Sequence, residues 1–392
     1  AVSRRNFAAL ASAASIRAFS NSIYGAVFSV YLYDLGASLR LLGCLGAAPP
    51  MISFFSSRFW SSLSDQLRAR KPFIVAGYLT SLAILLVYIA GSADPVFYLE
   101  VSIAASILTL ASGPLTAAVT SVSSRVAATL GDFRLAVMAS STAGGFISGY
   151  FVEKLGMTAA FAVGAAGSLA AALLVSLGYE EHPELKHPSF KRALREAFSL
   201  RMPRGGWLIS ALVATSAVRG AFMNLPCTLK MYELLSRSKP LLTASLSTAG
   251  MGAFLAAPLY GRLVEKAGEL KALLASTLAY MLYLPALAVI QSPAAFVALW
   301  MVPIGILYWI ASESLAARVS SQSERAFTMS TIASIRALSG SAGNLAVGFI
   351  MEEIGYDRTL ALSTAVNVVC LALILASWSR LRAASARGRR EL

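Results

Sequence analysis

Charge is what this sequence has least of. Only 13% of its 392 residues are Asp, Glu, Lys or Arg, against about 25% in an average soluble domain. Histidine is nearly missing, and the two copies, His182 and His187, stand together in one polar stretch. No His falls in a long apolar run and no H-E-x-x-H occurs, which removes the usual basis for an intramembrane or metal-assisted hydrolase. The three cysteines, Cys44, Cys227 and Cys370, lie singly in or beside apolar segments. That spacing supports neither a disulfide framework nor a metal site, so they read as small buried hydrophobes. With 57% hydrophobic residues and so little polar cover, the chain cannot be a soluble globule.

What is present is segmental. Apolar runs of about 20 residues recur, such as "FIVAGYLTSLAILLVYIAG" from Phe73 and "ALSTAVNVVCLALILASW" from Ala361. Twelve spans are predicted, near 7–33, 41–60, 73–91, 96–121, 135–153, 157–178, 206–229, 241–261, 272–290, 294–317, 327–351 and 357–378. Each is long enough to cross about 30 Å of hydrocarbon at 1.5 Å per residue. The first run is too long, and lacks the cleavage site, for a signal peptide. The expectation is an all-α integral membrane protein.

Basic residues orient it. With both termini in the cytoplasm, the inner segments carry 23 Lys and Arg. The outer ones carry six: Arg40, Lys154, Lys230, Arg237, Lys239 and Arg358. This is the asymmetry that positive-inside insertion produces, and it accounts for most of the +14 net charge. No nucleic-acid partner is needed to explain that charge, since a basic patch requires a sizeable soluble face. The tail "RLRAASARGRREL" reads as an orientation signal near anionic lipid.

The sequence also repeats itself. "SSLSDQLRARK" (61–71) returns as "GRLVEKAGELK" (261–271), 200 residues later. "GYFVEKLG" (149–156) returns as "GFIMEEIG" (348–355) at an offset of 199. Arg17 and Arg219 keep nearly the same period. The organisation expected is a six-span bundle over 1–179, a cytoplasmic linker over 180–204, a second bundle over 205–379 and a basic tail over 380–392. The linker contains a short amphipathic helix, and its two histidines read as solvated.

With twelve spans in two halves and a charged loop after spans two and eight, the chain resembles the major facilitator superfamily over essentially its whole length. The family's loop pattern is a glycine, an acid four residues on, a base, a glycine and further bases. The second copy matches at Gly261, Glu265, Lys266 and Gly268. The first keeps Asp65, Arg70 and Lys71 but has Ser61, Gln66 and Arg68 where glycine, arginine and glycine are usual. The resemblance implies alternating access between two half-bundles around a central cavity. It also implies a gating role for these loops, with Asp65 accepting hydrogen bonds at a helix N-terminus. Insertion alone has no use for an acid there. No cofactor or metal is implied, and a monomer is expected, with a proton or a counter-substrate as coupling partner.

Charges inside spans are costly and normally face a cavity or a partner. Arg17, Arg219, Arg336 and Glu313 are such charges. Arg17, Asn21, Tyr24, Phe28 and Tyr31 fall at helical spacing on span one. Arg219, Pro226 and Lys230 share a face of span seven, Ser112, Thr116 and Thr120 recur on span four, and Trp309 and Glu313 share a face of span ten. Spans one, four, seven and ten line the pathway in the resembled fold. The substrate-contact candidates are therefore Arg17, Asn21, Tyr24, Thr116, Arg219, Trp309, Glu313 and Arg336, and Glu313 is the candidate proton carrier. Three guanidinium groups against one carboxylate favour an anionic solute, organic or phosphate-type. The alternative bland role for the arginines is to neutralise Glu313 and bind helix carbonyls. Glycines at 144, 145, 149, 340, 343 and 348 permit close helix approach.

A proton-coupled multidrug exporter is the rival within the family. Its usual glycine-proline signature in span five is replaced here by "STAGGFISG". A non-transporting membrane receptor on the same scaffold is the rival of another class.

Overall fold

The structure is a computed structural model that describes residues 2–121, 126–181, 189–198, 207–319 and 325–388. His182 and His187 lie outside the described residues. Among the described residues all regular structure is α-helical, as expected where lipid leaves each backbone group to find its partner within the chain.

Each predicted span is occupied by helix among the described residues, three of them with an interruption. The first contains α1 (Val2–Gly25) and α2 (Phe28–Asp34), the second α3 (Leu39–Leu67) and the third α4 (Lys71–Ala90). The fourth is split into α5 (Pro95–Ile107) and α6 (Ser112–Ser121). The fifth and sixth run together as α7 (Val126–Gly178), and α8 (Phe190–Phe198) is the linker helix. Then come α9 (Trp207–Leu234), α10 (Lys239–Ala267) and α11 (Glu269–Val289). The tenth span is split into α12 (Pro293–Trp300) and α13 (Ile304–Val319), and α14 (Arg325–Gly388) carries the last two and part of the tail. Among the described residues eight stretches are long and apolar enough to cross a membrane, two of them of double length, Gly131–Gly178 and Thr331–Arg380. Many hydroxyls inside these helices are satisfied locally, as where Ser20 Oγ donates to Ile16 O at 2.6 Å and Ser102 Oγ to Tyr98 O at 2.7 Å. The buried hydroxyls of Tyr78, Ser148, Ser341 and Thr364, by contrast, have no hydrogen-bond partner among the described residues.

The two long helices break at glycine. Gly156 has φ 82° and ψ 167°, and Gly355 has φ 77° and ψ 171°, a region that only glycine occupies without strain. The breaks fall between spans five and six and between eleven and twelve, 199 residues apart, at the repeated motif. Left-handed backbone recurs at other half-chain positions too. Arg68 (φ 50°) answers Gly268 (φ 89°), and Gly36 (φ 87°) answers Ser236 (φ 54°). The first charged loop thus keeps the family's turn without its glycine.

The chain divides into two compact units. The first holds Ala1–Ala37, Ala48–Ser199 and Ser238–Ser247, and the second Ser38–Ala47, Leu200–Arg237 and Thr248–Leu392. The first is built around Leu10, Ile74, Ala118, Ala171 and Val175. The second is built around Leu212, Leu273, Ala311, Cys370 and Ile374. Ala171 and Val175 correspond to Cys370 and Ile374 at the 199-residue offset, so the repeat extends into the cores.

Within the first unit, α8 lies along α3. Ala193 and Ala197 are buried, Phe198 stacks on Phe55 at 4.9 Å and Phe190 meets Phe59 edge-on at 5.0 Å. Within the second unit, Gly43 and Gly348 bring two backbones together: a Cβ on Gly43 would meet Gly348 Cα at 2.5 Å. Gly144, Gly149 and Gly343 are close approaches of the same kind, whereas the nearest atom to a Cβ on Gly340 would be 4.0 Å away. Cys227 and Cys370 are buried, and Cys44 is only partly so.

One assignment from the sequence is corrected. Lys230 is not in an outer connection but inside α9, 1% exposed and paired with Asp357 at 2.6 Å. Hydropathy ended the span at the first cation, whereas a long helix with a buried partner carries the chain five residues further.

Candidate functional site

The stripe predicted on span one faces a cavity of about 630 Å³ within the first unit, lined by Arg17, Asn21, Tyr24 and Phe28 from the first span. Helix α4 adds Tyr78, Ser81 and Tyr88, and Ser102 and Thr109 come from the fourth span. Tyr24 donates its hydroxyl to Asn21 Oδ1 at 2.6 Å, which fixes one side of the wall. Arg17 Nη1 is buried and has no hydrogen-bond partner, and Tyr78 Oη shares that state. Arg17 is the one charged side chain among the described residues lining this cavity. Thr116 is placed elsewhere, exposed on α6 and away from the cavity lining. Tyr31 also leaves the stripe, hydrogen-bonding Tyr98 hydroxyl to hydroxyl at 3.1 Å.

In the second unit the remaining candidates form two separate polar knots. Arg219 is 4% exposed and fully engaged. Its Nη1 donates to Asn367 Oδ1 at 2.8 Å and its Nη2 to Ser216 Oγ at 3.3 Å. Its guanidinium lies over Tyr280 at 3.9 Å and Tyr308 at 4.7 Å. Asn367 in turn donates to Thr277 O at 2.8 Å, tying α9, α11 and α14 together.

Trp309, Glu313 and Arg336 form the other knot. Trp309 Nε1 donates to Glu313 Oε1, and Arg336 Nη1 reaches the same oxygen at 3.1 Å. Arg336 also lies over the Trp309 ring at 5.0 Å. Both charged groups are about one-third exposed, 32% for Arg336 and 39% for Glu313. Glu313 is therefore neutralised from the adjoining span eleven. A partly exposed ion pair of this kind exchanges partners at little cost.

The charged loops are arranged differently from the family expectation at one point. Asp65 is exposed, and its carboxylate takes no hydrogen bond among the described residues. The N-terminus of α4 is instead capped by Glu181, which accepts from Arg70 N at 2.8 Å and Lys71 N at 2.7 Å. The Arg70 guanidinium donates to Ala117 O at 3.0 Å. Burial, and then the Glu181 carboxylate, push the nearby Tyr179 phenol above its ordinary range, with Arg70 opposing. In the second loop Glu265 and Lys266 are exposed, and Gly261 sits inside α10 with open space where a Cβ would be. Glu269, by contrast, is 1% exposed and accepts from Ser314 Oγ at 3.2 Å.

Four residues of this architecture escaped sequence reasoning. Asn367 carried a usable signal, a lone amide in the middle of an apolar span. Arg58 carried one as well, as a charge inside span two; its guanidinium lies over Phe54 at 5.4 Å. Tyr78 and Tyr308 carried none, because tyrosine inside a span is as common in packing as in binding.

Comparison with known proteins agrees with this architecture. The family model of the Major Facilitator Superfamily matches residues 10–310. No curated protein matches the sequence. The nucleoside transporter NupG shares the fold at a TM-score of 0.78 with 13% identity, over 96% of this chain and 99% of that one. A bacterial homologue of the human lysosomal transporter Spinster gives 0.74 with 16% identity, over 99% and 98%. The human organic anion transporter MFSD10 (TETRAN) gives 0.69 with 13% identity, over 95% and 99%. At such identities the likeness is one of fold.

Proposed function

The chain belongs to the major facilitator superfamily, a family of transporters rather than enzymes, and from that premise we propose that it moves a small organic or phosphate-type anion across the cell membrane by alternating access. In this reading all twelve spans cross the bilayer, both termini are cytoplasmic, and two six-span halves, 1–179 and 205–379, rock about the substrate. The polar linker joins them at the inner surface, and the protein works as a monomer.

One observation carries the anion reading. Arg17 holds a buried guanidinium nitrogen without a partner, in a cavity whose described lining has no acid. A guanidinium stays protonated and donates in a planar fork, so its natural complement is a carboxylate or phosphate oxygen. Asn21 and Tyr24 orient the solute beside it. Arg219 holds the opposite half in shape through Asn367 and the two tyrosines. Glu313, Arg336 and Trp309 form a coupling element: a proton on Glu313 releases Arg336, which then serves the substrate or the closing motion. Asp65, Arg70, Gly261, Glu265 and Lys266 belong to the inner gate, a role that rests on the family resemblance.

The multidrug-exporter reading requires an acid facing the solute. Glu313 is the acid that reading would use, and its carboxylate is already held by Arg336 and Trp309. A thermal-shift screen of purified protein separates the readings. Organic anions or phosphates should raise the melting temperature of the native protein and fail to do so for Arg17→Gln. Stabilisation by lipophilic cations alone, lost in Glu313→Gln, would replace the anion reading with drug export. Binding without uptake or exchange in proteoliposomes would mark a receptor.

A further inference from the structure

Tyr78, like Tyr308, is a residue that no sequence pattern singled out. It lies on α4, is 4% exposed, and lines the same cavity as Arg17. Its phenol oxygen has no hydrogen-bond partner, and neither has Arg17 Nη1. Most buried polar groups are paired, and each orphan costs about 1–3 kcal/mol. Other buried atoms without a partner, such as the hydroxyls of Ser148, Ser341 and Thr364, lie away from this cavity, whereas Arg17 and Tyr78 both line it, so one ligand held there would satisfy the two together. The two groups are close enough for the charge of Arg17 to act on the phenol.

Their chemistry is complementary to one kind of group. A guanidinium N–H and a phenol O–H are both donors, and a carboxylate offers two acceptor oxygens. Asn21 adds a third donor, because Tyr24 already occupies its Oδ1 and its amide nitrogen has no hydrogen-bond partner among the described residues. The remaining walls are largely hydrocarbon and ring: Phe28, Ile84, Leu85, Leu108 and Phe133. We propose that Arg17 and Tyr78 clamp the carboxylate of an organic monoanion whose apolar body lies against these walls. This inference rests on the anion reading above and narrows it.

Charge and volume exclude the other anions that reading allows. The described lining holds a single cation, so a dicarboxylate would bring a second, uncompensated charge out of water, at a cost of several kcal/mol. Inorganic phosphate would fill a small part of 630 Å³ and leave the apolar walls without a partner. A neutral ligand would leave the guanidinium as it is. Ligand cavities of about this size accept molecules with a body of one or two rings.

The test uses full-length protein in nanodiscs, with 4-phenylbutyrate, 4-phenylbutanol, succinate and inorganic phosphate as probes in calorimetric titration. The native protein should bind 4-phenylbutyrate at least tenfold more tightly than any of the other three. Tyr78→Phe keeps the ring and its packing and removes one donor to a charged acceptor, so affinity should fall about tenfold. Arg17→Lys should weaken binding further although the charge is kept. Tighter binding of succinate or phosphate, lost in Arg17→Gln, would overturn the monoanion while leaving the anion reading intact. Equal binding of 4-phenylbutanol, indifferent to Arg17→Gln, would overturn both. Binding of 4-phenylbutyrate unchanged in Tyr78→Phe would overturn the clamp, and no binding of 4-phenylbutyrate would overturn the proposed class.

Discussion

Replacing Asp357 with alanine should destabilise the protein more than replacing Lys230 with methionine, although both changes remove the same ion pair. The Lys230 ammonium is 1% exposed, and the Asp357 side chain is 45% exposed. Lys230 also donates to Leu287 O at 3.0 Å and Ala288 O at 2.7 Å. These carbonyls belong to the last turn of α11, where no intrahelical donor remains. In Asp357→Ala the ammonium stays buried with only carbonyl dipoles for company. Breaking a buried pair in this way costs about 3–5 kcal/mol, and the partial exposure of Asp357 places it near the lower end. In Lys230→Met the buried charge goes with the pair, a side chain of similar length fills the space, and Asp357 turns to water. What remains is two carbonyls without donors, about 1–2 kcal/mol. At roughly 2 °C per kcal/mol for a chain of this size, Asp357→Ala should lower the apparent melting temperature by about 6 °C. Lys230→Met should lower it by about 3 °C. Thermal unfolding of detergent-solubilised protein, followed by intrinsic fluorescence, reads both. An Asp357→Ala protein as stable as Lys230→Met would refute the argument that the penalty lies in the stranded ammonium.

Other expectations follow from the packing, the coupling knot and the gate. Gly348→Ala should destabilise the protein by about 1–3 kcal/mol through overpacking, because its Cβ would meet Gly43 Cα at 2.7 Å, whereas Gly340→Ala, with open space, should be neutral. Equal melting temperatures for the two would contradict the close approach. Glu313→Gln should abolish accumulation driven by a pH gradient in proteoliposomes while leaving exchange of substrate for substrate intact; undiminished accumulation would remove Glu313 as the proton carrier. Asp65→Asn should preserve expression and melting temperature while raising thiol labelling at cytoplasm-facing cavity positions, and unchanged labelling would end its role as a latch.

The fold was legible because its strongest determinants are local. Span length and the positive-inside bias are properties of short windows, and the half-chain repeat pairs short motifs that contain Gly156 and Gly355. Breaks inside a span were not legible from hydropathy: Pro293–Ala316 keeps a mean hydropathy of 2.0 across the interruption between α12 and α13. The signals for it and for the break between α5 and α6 were single prolines, Pro303 and Pro114. The site was legible in proportion to charge. Arg17, Glu313 and Arg336 stood out because lipid tolerates them poorly, and Trp309 followed from helical spacing. Which charge answers which was not legible, since pairing between spans eleven and ten depends on packing at long sequence separation. Tyr78 was invisible for the same reason, as only the cavity distinguishes a phenol that binds from one that packs. Lys230 misled because a cation near a span end resembles a loop residue until its partner is located.

The central claim, a carrier whose anion is held at Arg17, is tested most directly by counterflow. Proteoliposomes preloaded with unlabelled 4-phenylbutyrate are diluted into labelled 4-phenylbutyrate at low concentration, and transient accumulation is followed with time. Only a site exposed alternately to the two sides gives such an overshoot. The native protein should show it, Arg17→Lys should show it weakly, and Arg17→Gln should lose it by more than tenfold while remaining folded, because each lost charge-assisted contact is worth about 1.5–3 kcal/mol. An overshoot of native size in Arg17→Gln would contradict the account.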